Sequence, residues 1–229
     1  AMRIRRDSDD AETNIGFDAN GDLDTTAISD FCGTANGYVT RWWDQSTNGN
    51  HADQATDTRQ PQIYNGTAVL TENGKPALTF NGSQNFPNPF SSTASDYSFF
   101  VVRTVSSSSG FILDAQTGRF VLDSVSSGQG AYYDGSWRGT AETSTSQLLR
   151  TTLCVSPSSG AVYTDGTAIN TGLSYTQKAI GGSVSLGSKW NGNETFITGS
   201  MQEFVFWTSD QSSNRTGIET NINNYFSIY

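Results

Sequence analysis

The chain has 229 residues, a formal net charge of -9 and an isoelectric point near 4.4, a balance that repels nucleic acid and anionic membranes, because both need clustered Lys and Arg. Only 34% of residues are hydrophobic, but 13 Phe, 9 Tyr and 5 Trp supply enough large apolar area for a sizeable core. No apolar run approaches the roughly 20 residues that span a bilayer, so membrane insertion is not expected.

Taken in chain order, Ala1-Met2-Arg3-Ile4-Arg5-Arg6 alternates like a strand and lacks the basic-then-apolar pattern of a secretory leader. It reads as the start of a domain within a longer polypeptide. Asp18-Ala19-Asn20-Gly21-Asp22-Leu23-Asp24 places oxygen-bearing side chains at alternate positions, as a calcium loop does. Leu23 nevertheless stands where such a loop needs glycine, and Ser29 where it needs a bidentate glutamate. A solvated acidic turn is expected there, with Asp24 capping a helix that runs through Ile28 and Phe31 to a stop at Gly33.

Strands are expected over 38–43, 77–80, 97–104, 120–122, 148–155, 161–164 and 201–207, where Val, Thr, Phe and Tyr concentrate. Between them fall Asn36-Gly37, Asn65-Gly66, Asn73-Gly74, Asn81-Gly82, Asp134-Gly135, Asp165-Gly166 and Asn191-Gly192, pairs that accept the positive φ of tight reversals. A second helix is expected over 212–225, with Ile218, Ile222 and Tyr225 on one face. Many short strands without interleaved helices give an all-β fold: one domain over 1–229, an antiparallel two-sheet β-sandwich of the jelly-roll kind with one or two short helices.

Three constellations bear chemistry. In Trp42-Trp43-Asp44-Gln45-Ser46-Thr47-Asn48-Gly49-Asn50-His51, the polar residues either hold a compact turn through backbone N–H groups or, at Asp44, Asn48 and Asn50, offer metal ligands. No cofactor is required, and a structural calcium ion is the one candidate. The stretch 129–138 crowds Tyr132, Tyr133, Asp134, Trp137 and Arg138 around a turn, and Trp190, Asn191 and Asn193 form a second loop of the same character. Aromatic faces for sugar C–H groups beside planar polar groups for hydroxyls are what carbohydrate binding needs, and the two loops could meet at one rim of the sandwich. Glycoside hydrolysis needs a pair of carboxyl groups. The candidates are Asp114, Asp123, Asp134 and Glu194, and spacing selects no pair among them. His51, the single histidine, has no nucleophile motif beside it. With His51 alone, Cys32 and Cys154 cannot build a zinc site, so they either pair or sit buried.

Five segments in order resemble the concanavalin A-like lectin and glucanase sandwiches, in particular their laminin-G-like branch: 43–50, 75–83, 97–102, 162–166 and 199–206. A closer resemblance, carried by Arg6-Asp7-Ser8-Asp9-Asp10, Phe31-Cys32 and Trp43-Asp44-Gln45-Ser46 through Asn50-His51, is to the catalytic sandwich of the fungal α-L-arabinofuranosidase B family and its relatives in bacteria and phage tail or virion proteins. That resemblance implies a glutamate nucleophile and an aspartate general acid. Here the segment similar to the nucleophile strand reads Phe120-Val121-Leu122-Asp123-Ser124-Val125-Ser126, with no glutamate between Glu72 and Glu142. Asn191 stands near the expected acid, and an amide cannot deliver that proton. The family's clustered cysteines are also missing.

The leading expectation is therefore a non-catalytic, lectin-like module that binds a polysaccharide or cell-surface glycan, set extracellularly (secreted, cell-surface or virion) beside other modules of a larger polypeptide. The alternative is a glycoside hydrolase of arabinofuranosidase type using Asp123 or Asp134 with Glu194. A structural or protein-interaction domain is the third reading.

Overall fold

The structure, a computed structural model, describes residues 1–106, 110–124, 129–142 and 144–229. The chain opens with β1 (Met2–Arg6), β2 (Glu12–Ile15), α1 (Thr25–Cys32) and β3 (Asn36–Trp42), followed by β4 (Ala52–Asp53), a single 3-10 turn and β5 (Gln62–Asn65). Short strands β6 (Thr71–Glu72), β7 (Lys75–Pro76), β8 (Leu78–Asn81) and β9 (Phe86–Pro87) lead to the long β10 (Tyr97–Val105). Next come β11 (Phe111–Ala115), β12 (Phe120–Ser124), β13 (Tyr132–Tyr133), β14 (Trp137–Arg138), β15 (Leu148–Val155), β16 (Ser159–Thr164), β17 (Thr167–Leu173), β18 (Val184–Leu186), β19 (Thr198–Trp207) and α2 (Arg215–Phe226).

Among the described residues, eleven strands form one sheet in the order β17-β16-β15-β10-β19-β8-β5-β3-β1-β2, with β4 beside β3. Six form a second in the order β14-β13-β12-β11-β18-β9. Pairing is antiparallel throughout, so the architecture is the expected two-sheet β-sandwich with two helices.

Strand β10 is buried along its whole length because both its faces are covered. Tyr97, Phe99 and Val101 enter the core between the sheets, where Phe99 stacks on Phe206 at 4.9 Å and on Phe120 at 5.8 Å. Phe100 and Val102 face the other way and pack with Leu149 against Ile222 and Phe226 of α2. Burying each such side chain contributes about 1.5–3 kcal/mol, so α2 is held by its apolar stripe and a buried bond from Thr151 Oγ1 to Glu219 Oε1 of 2.7 Å. At α1, Asp24 accepts from the Ala27 N–H at 2.9 Å, and Gly33 ends the helix at φ 59°.

One expected turn is a strand. Asn36-Gly37 lies inside β3, with Gly37 paired to Tyr64 and Arg6. A Cβ there would come within 2.8 Å of Cys32 Sγ, so this glycine serves close packing, not reversal. Cys32 and Cys154 are both buried free thiols, and burial pushes the Cys154 thiol well up.

Candidate active site on the six-stranded sheet

Register decides which side chains share the outer face of the six-stranded sheet. Leu113 pairs with both Leu122 and Leu186, and all three belong to the core. Their alternating neighbours therefore point the other way: Asp114 lies opposite Val121 and Ser185, and Val121 opposite Tyr133. The loop 187–194 folds back over this face. Gly187 N–H donates to the Ile112 carbonyl at 2.8 Å, Lys189 N–H to the Glu194 carbonyl at 3.1 Å and Gly192 N–H to the Lys189 carbonyl at 2.8 Å. From across the molecule the Arg59 guanidinium donates to the Gly192 carbonyl, and to Asn193 Oδ1 at 3.1 Å. Trp190 N–H then reaches Asp114 Oδ2 at 3.3 Å, which puts the tryptophan loop directly over the carboxyl.

Asp114 is fully buried. Arg119 Nε sits 2.9 Å from its Oδ1, yet the N–H is not aimed at the oxygen, so the two attract without a formed hydrogen bond. Burial dominates and pushes the Asp114 carboxyl up to about 6, against the smaller opposing pull of Arg119, the Trp190 N–H and Lys189. Glu194, exposed on the loop that carries Trp190, is held below the usual carboxylate range by bonds from Lys189 and Asn191. The Arg119 guanidinium also lies 5.8 Å from the Phe111 ring centre, Phe111 lies 6.1 Å from Trp137, and Trp137 meets Tyr133 edge-on at 5.2 Å. One continuous chain of contacts thus links the loop around Trp137 with the loop around Trp190.

Several residues singled out from the sequence sit elsewhere. Tyr132 belongs to the core, fully buried, and its hydroxyl donates to the Ser174 carbonyl at 2.8 Å, so it presents no surface to a ligand. Asp134 is buried as well. It accepts from Thr176 N–H at 2.6 Å and pairs with Arg138 at 2.9 Å, which makes both residues pins of the local turn. Asp123 takes a positive φ of 48°, and its carboxylate accepts from Arg103 Nε at 2.6 Å and Nη2 at 3.1 Å, with Arg150 Nε 3.6 Å away. All three side chains are buried, so Asp123 is a buried ion-pair partner and not a free nucleophile. Val125 and Ser126 of the segment similar to the nucleophile strand lie outside the described residues.

The Asp44 loop is a compact turn. Asp44 Oδ1 accepts from Ser46 N–H at 2.7 Å and Oδ2 from Asn50 N–H at 2.9 Å, while the Asn48 amide donates to Ser46 Oγ at 2.9 Å. Among the described residues no group of three or more His, Cys, Asp or Glu side chains could hold a metal ion. Sequence reasoning passed over Arg119, Lys189 and Phe111. Arg119 sits at φ 50° in the tight reversal between β11 and β12, and only the closed hairpin brings it onto Asp114.

A family model described as "Alpha-L-arabinofuranosidase B, catalytic" matches residues 1–149. The comparison with curated proteins found no match. Among solved structures, the chain is similar to an arabinofuranosidase complexed with arabinofuranosyl-α-1,2-xylobiose, at 18% identity and a TM-score of 0.71 over 95% of this chain and 58% of that one. A GH54 α-L-arabinofuranosidase soaked with a cyclic sulfate inhibitor matches at 18% identity and a TM-score of 0.74, over 96% and 58%. A glutamate-to-glutamine variant of a GH54 α-L-arabinofuranosidase soaked with 4-nitrophenyl α-L-arabinofuranoside gives 17%, 0.72, 96% and 58%. These likenesses show the shared fold, and the chain spans 58% of the length of the structures it matches. Because the family model covers well over half of the sequence, from β1 into β15, the chain belongs to the family of the arabinofuranosidase B catalytic domain.

Proposed function

We propose that the chain is a glycoside hydrolase of arabinofuranosidase type that acts on α-L-arabinofuranosyl groups of an extracellular polysaccharide, with Asp114 as the acid of a rearranged site. Family membership favours hydrolysis over the lectin-like reading. The observation that carries the assignment of the acid is the buried Asp114 carboxyl, pushed up to about 6 beneath the loop that carries a second carboxylate, Glu194, which stays ionised. Two carboxyl groups with separated proton affinities are what acid–base division requires. Protonated Asp114 would give its proton to the leaving glycosidic oxygen, while Glu194 would take a proton from the water that adds to the anomeric carbon. Trp137 and Tyr133 offer ring faces for the sugar. The loop 187–194 covers Asp114, so substrate must displace Trp190, and the Lys189–Glu194 pair is the fastening that would yield.

The test is release of 4-nitrophenolate from 4-nitrophenyl α-L-arabinofuranoside. Asp114→Asn is expected to lower turnover by about 10²–10⁴-fold, the usual worth of a positioned acid. Full activity in that variant would refute the assignment. A second reading, carbohydrate binding without turnover, is favoured by Asn191 standing where the resemblance expects an acid and by Asp123 being committed to two arginines. Binding of arabinofuranosyl-xylobiose with no hydrolysis by the unmodified protein would establish it in place of the first.

A further inference from the structure

Away from that site the structure contains a cavity of about 470 Å³, inside the range of small-molecule sites, about 300–1,000 Å³. It shares no residue with the surface around Asp114. It exists because β19 outruns its neighbour. Strand β8 pairs with β19 only from Thr198 to Met201, and beyond Met201 that edge of β19 has no strand beside it among the described residues. Trp42, Phe90, Phe204 and Phe206 wall the opening and are each only partly buried, with Phe90 stacked on Phe206 at 4.5 Å. Glu203 borders it only at the strand edge: paired with Val102 and alternating with Phe204, its side chain turns to the α2 face, away from the aromatic wall. Asp44, Asn48 and Asn50 stand at the mouth.

The chemistry of the walls selects among occupants. An anion would meet Asp44 at the mouth in a protein already at -9. A cation would find the aromatic position at the mouth taken, because Lys75 Nζ lies 3.9 Å from the Tyr225 ring centre. A purely apolar ligand would leave the open strand edge and the mouth amides without partners, and unpaired buried polar groups are costly. A neutral ring with C–H faces and hydroxyls satisfies both parts of the wall. We infer that this cavity is a second carbohydrate subsite, which holds a neutral sugar ring of the polysaccharide while hydrolysis occurs at the Asp114 surface. The identity of that polysaccharide rests on the proposed function; the cavity and its preference for a neutral sugar do not.

The experiment is an NMR titration of the whole chain with arabinofuranosyl-α-1,2-xylobiose, following the Trp42 indole and the amides of residues 203–207, with turnover of 4-nitrophenyl α-L-arabinofuranoside measured on the same samples. Saturable shifts at Trp42 and residues 203–207 are expected. Asn50→Ala and Phe90→Ala should each weaken them about tenfold while leaving turnover of the small substrate unchanged. Shifts confined to Tyr133, Trp137 and Trp190, or affinities at Trp42 unaltered in both variants, would overturn the subsite. Cavity shifts in a protein without turnover would remove the hydrolase reading and leave the subsite standing.

Discussion

Replacing Asp123 by asparagine separates a structural carboxylate from a catalytic one. Asp123 reaches from β12 to Arg103 on β10 and Arg150 on β15, and so ties one sheet to the other with exposures of 0%, 0% and 1%. Asparagine tolerates the positive φ at this position as well as aspartate does, so the backbone does not confound the result. What changes is charge: two buried guanidiniums lose the carboxylate they pair with, and Arg103 Nη1 and Arg150 Nε already have no hydrogen-bond partner among the described residues. Breaking a buried pair from one side costs about 3–5 kcal/mol. With unfolding entropy near 2.1 cal/mol/K per residue, that lowers the melting temperature of a domain of this size by about 6–10 °C. Thermal melting by circular dichroism at pH 7 measures it, and added salt should not rescue the variant, since the site is screened from solvent. Joint replacement by Asp123→Leu, Arg103→Met and Arg150→Met should recover most of the loss, because an apolar set of similar volume needs no compensation. Unchanged melting together with lost turnover in Asp123→Asn would show the reasoning wrong and return Asp123 to the catalytic candidates.

Activity on the chromogenic arabinofuranoside should fall as pH rises through about 6, because Asp114 must carry its proton to act as acid; a profile flat from pH 5 to 8 would contradict that role. Glu203, pushed up to about 7 by burial, binds a proton in the folded chain that the unfolded chain releases near its ordinary value of 4.5. Its contribution to stability therefore declines as pH rises between about 4.5 and 7. Glu203→Gln should melt higher than the unmodified protein at pH 8 and equally at pH 4, by at most about 3 kcal/mol at 1.36 kcal/mol per pH unit, less because the side chain keeps some solvent contact. Equal melting at both pH values would refute the assignment. Chelator should leave the melting temperature unchanged, since both Asp44 oxygens already accept backbone N–H groups; a drop reversed by added calcium would instead establish the metal loop.

Much of the fold is local and so legible. The Asp24 cap, the Gly33 stop and the reversals at Asn73-Gly74 and Asp165-Gly166 depend on residues a few positions apart, and each stands where the chain predicts it. Asn36-Gly37 shows the limit. The same dipeptide chemistry serves a reversal or a close approach, and only the position of Cys32 against β3 decides which. The candidate site was legible in composition but not in membership. Tyr132 and Tyr133 are neighbours of one residue type, yet strand parity sends the first into the core and leaves the second at the surface.

By itself the sequence determined an acidic all-β sandwich and most of its turns and caps, because composition, period and turn preference act over short stretches of chain. Tertiary structure alone decided the roles of the carboxylates. Asp123, Asp134 and Asp114 are alike as residues and all buried, and what distinguishes them is the partners each meets: Arg103 with Arg150 for Asp123, Arg138 for Asp134 and Arg119 for Asp114. A carboxylate's proton affinity and availability follow from its desolvation and its nearest charges, and both are set by strands distant in sequence.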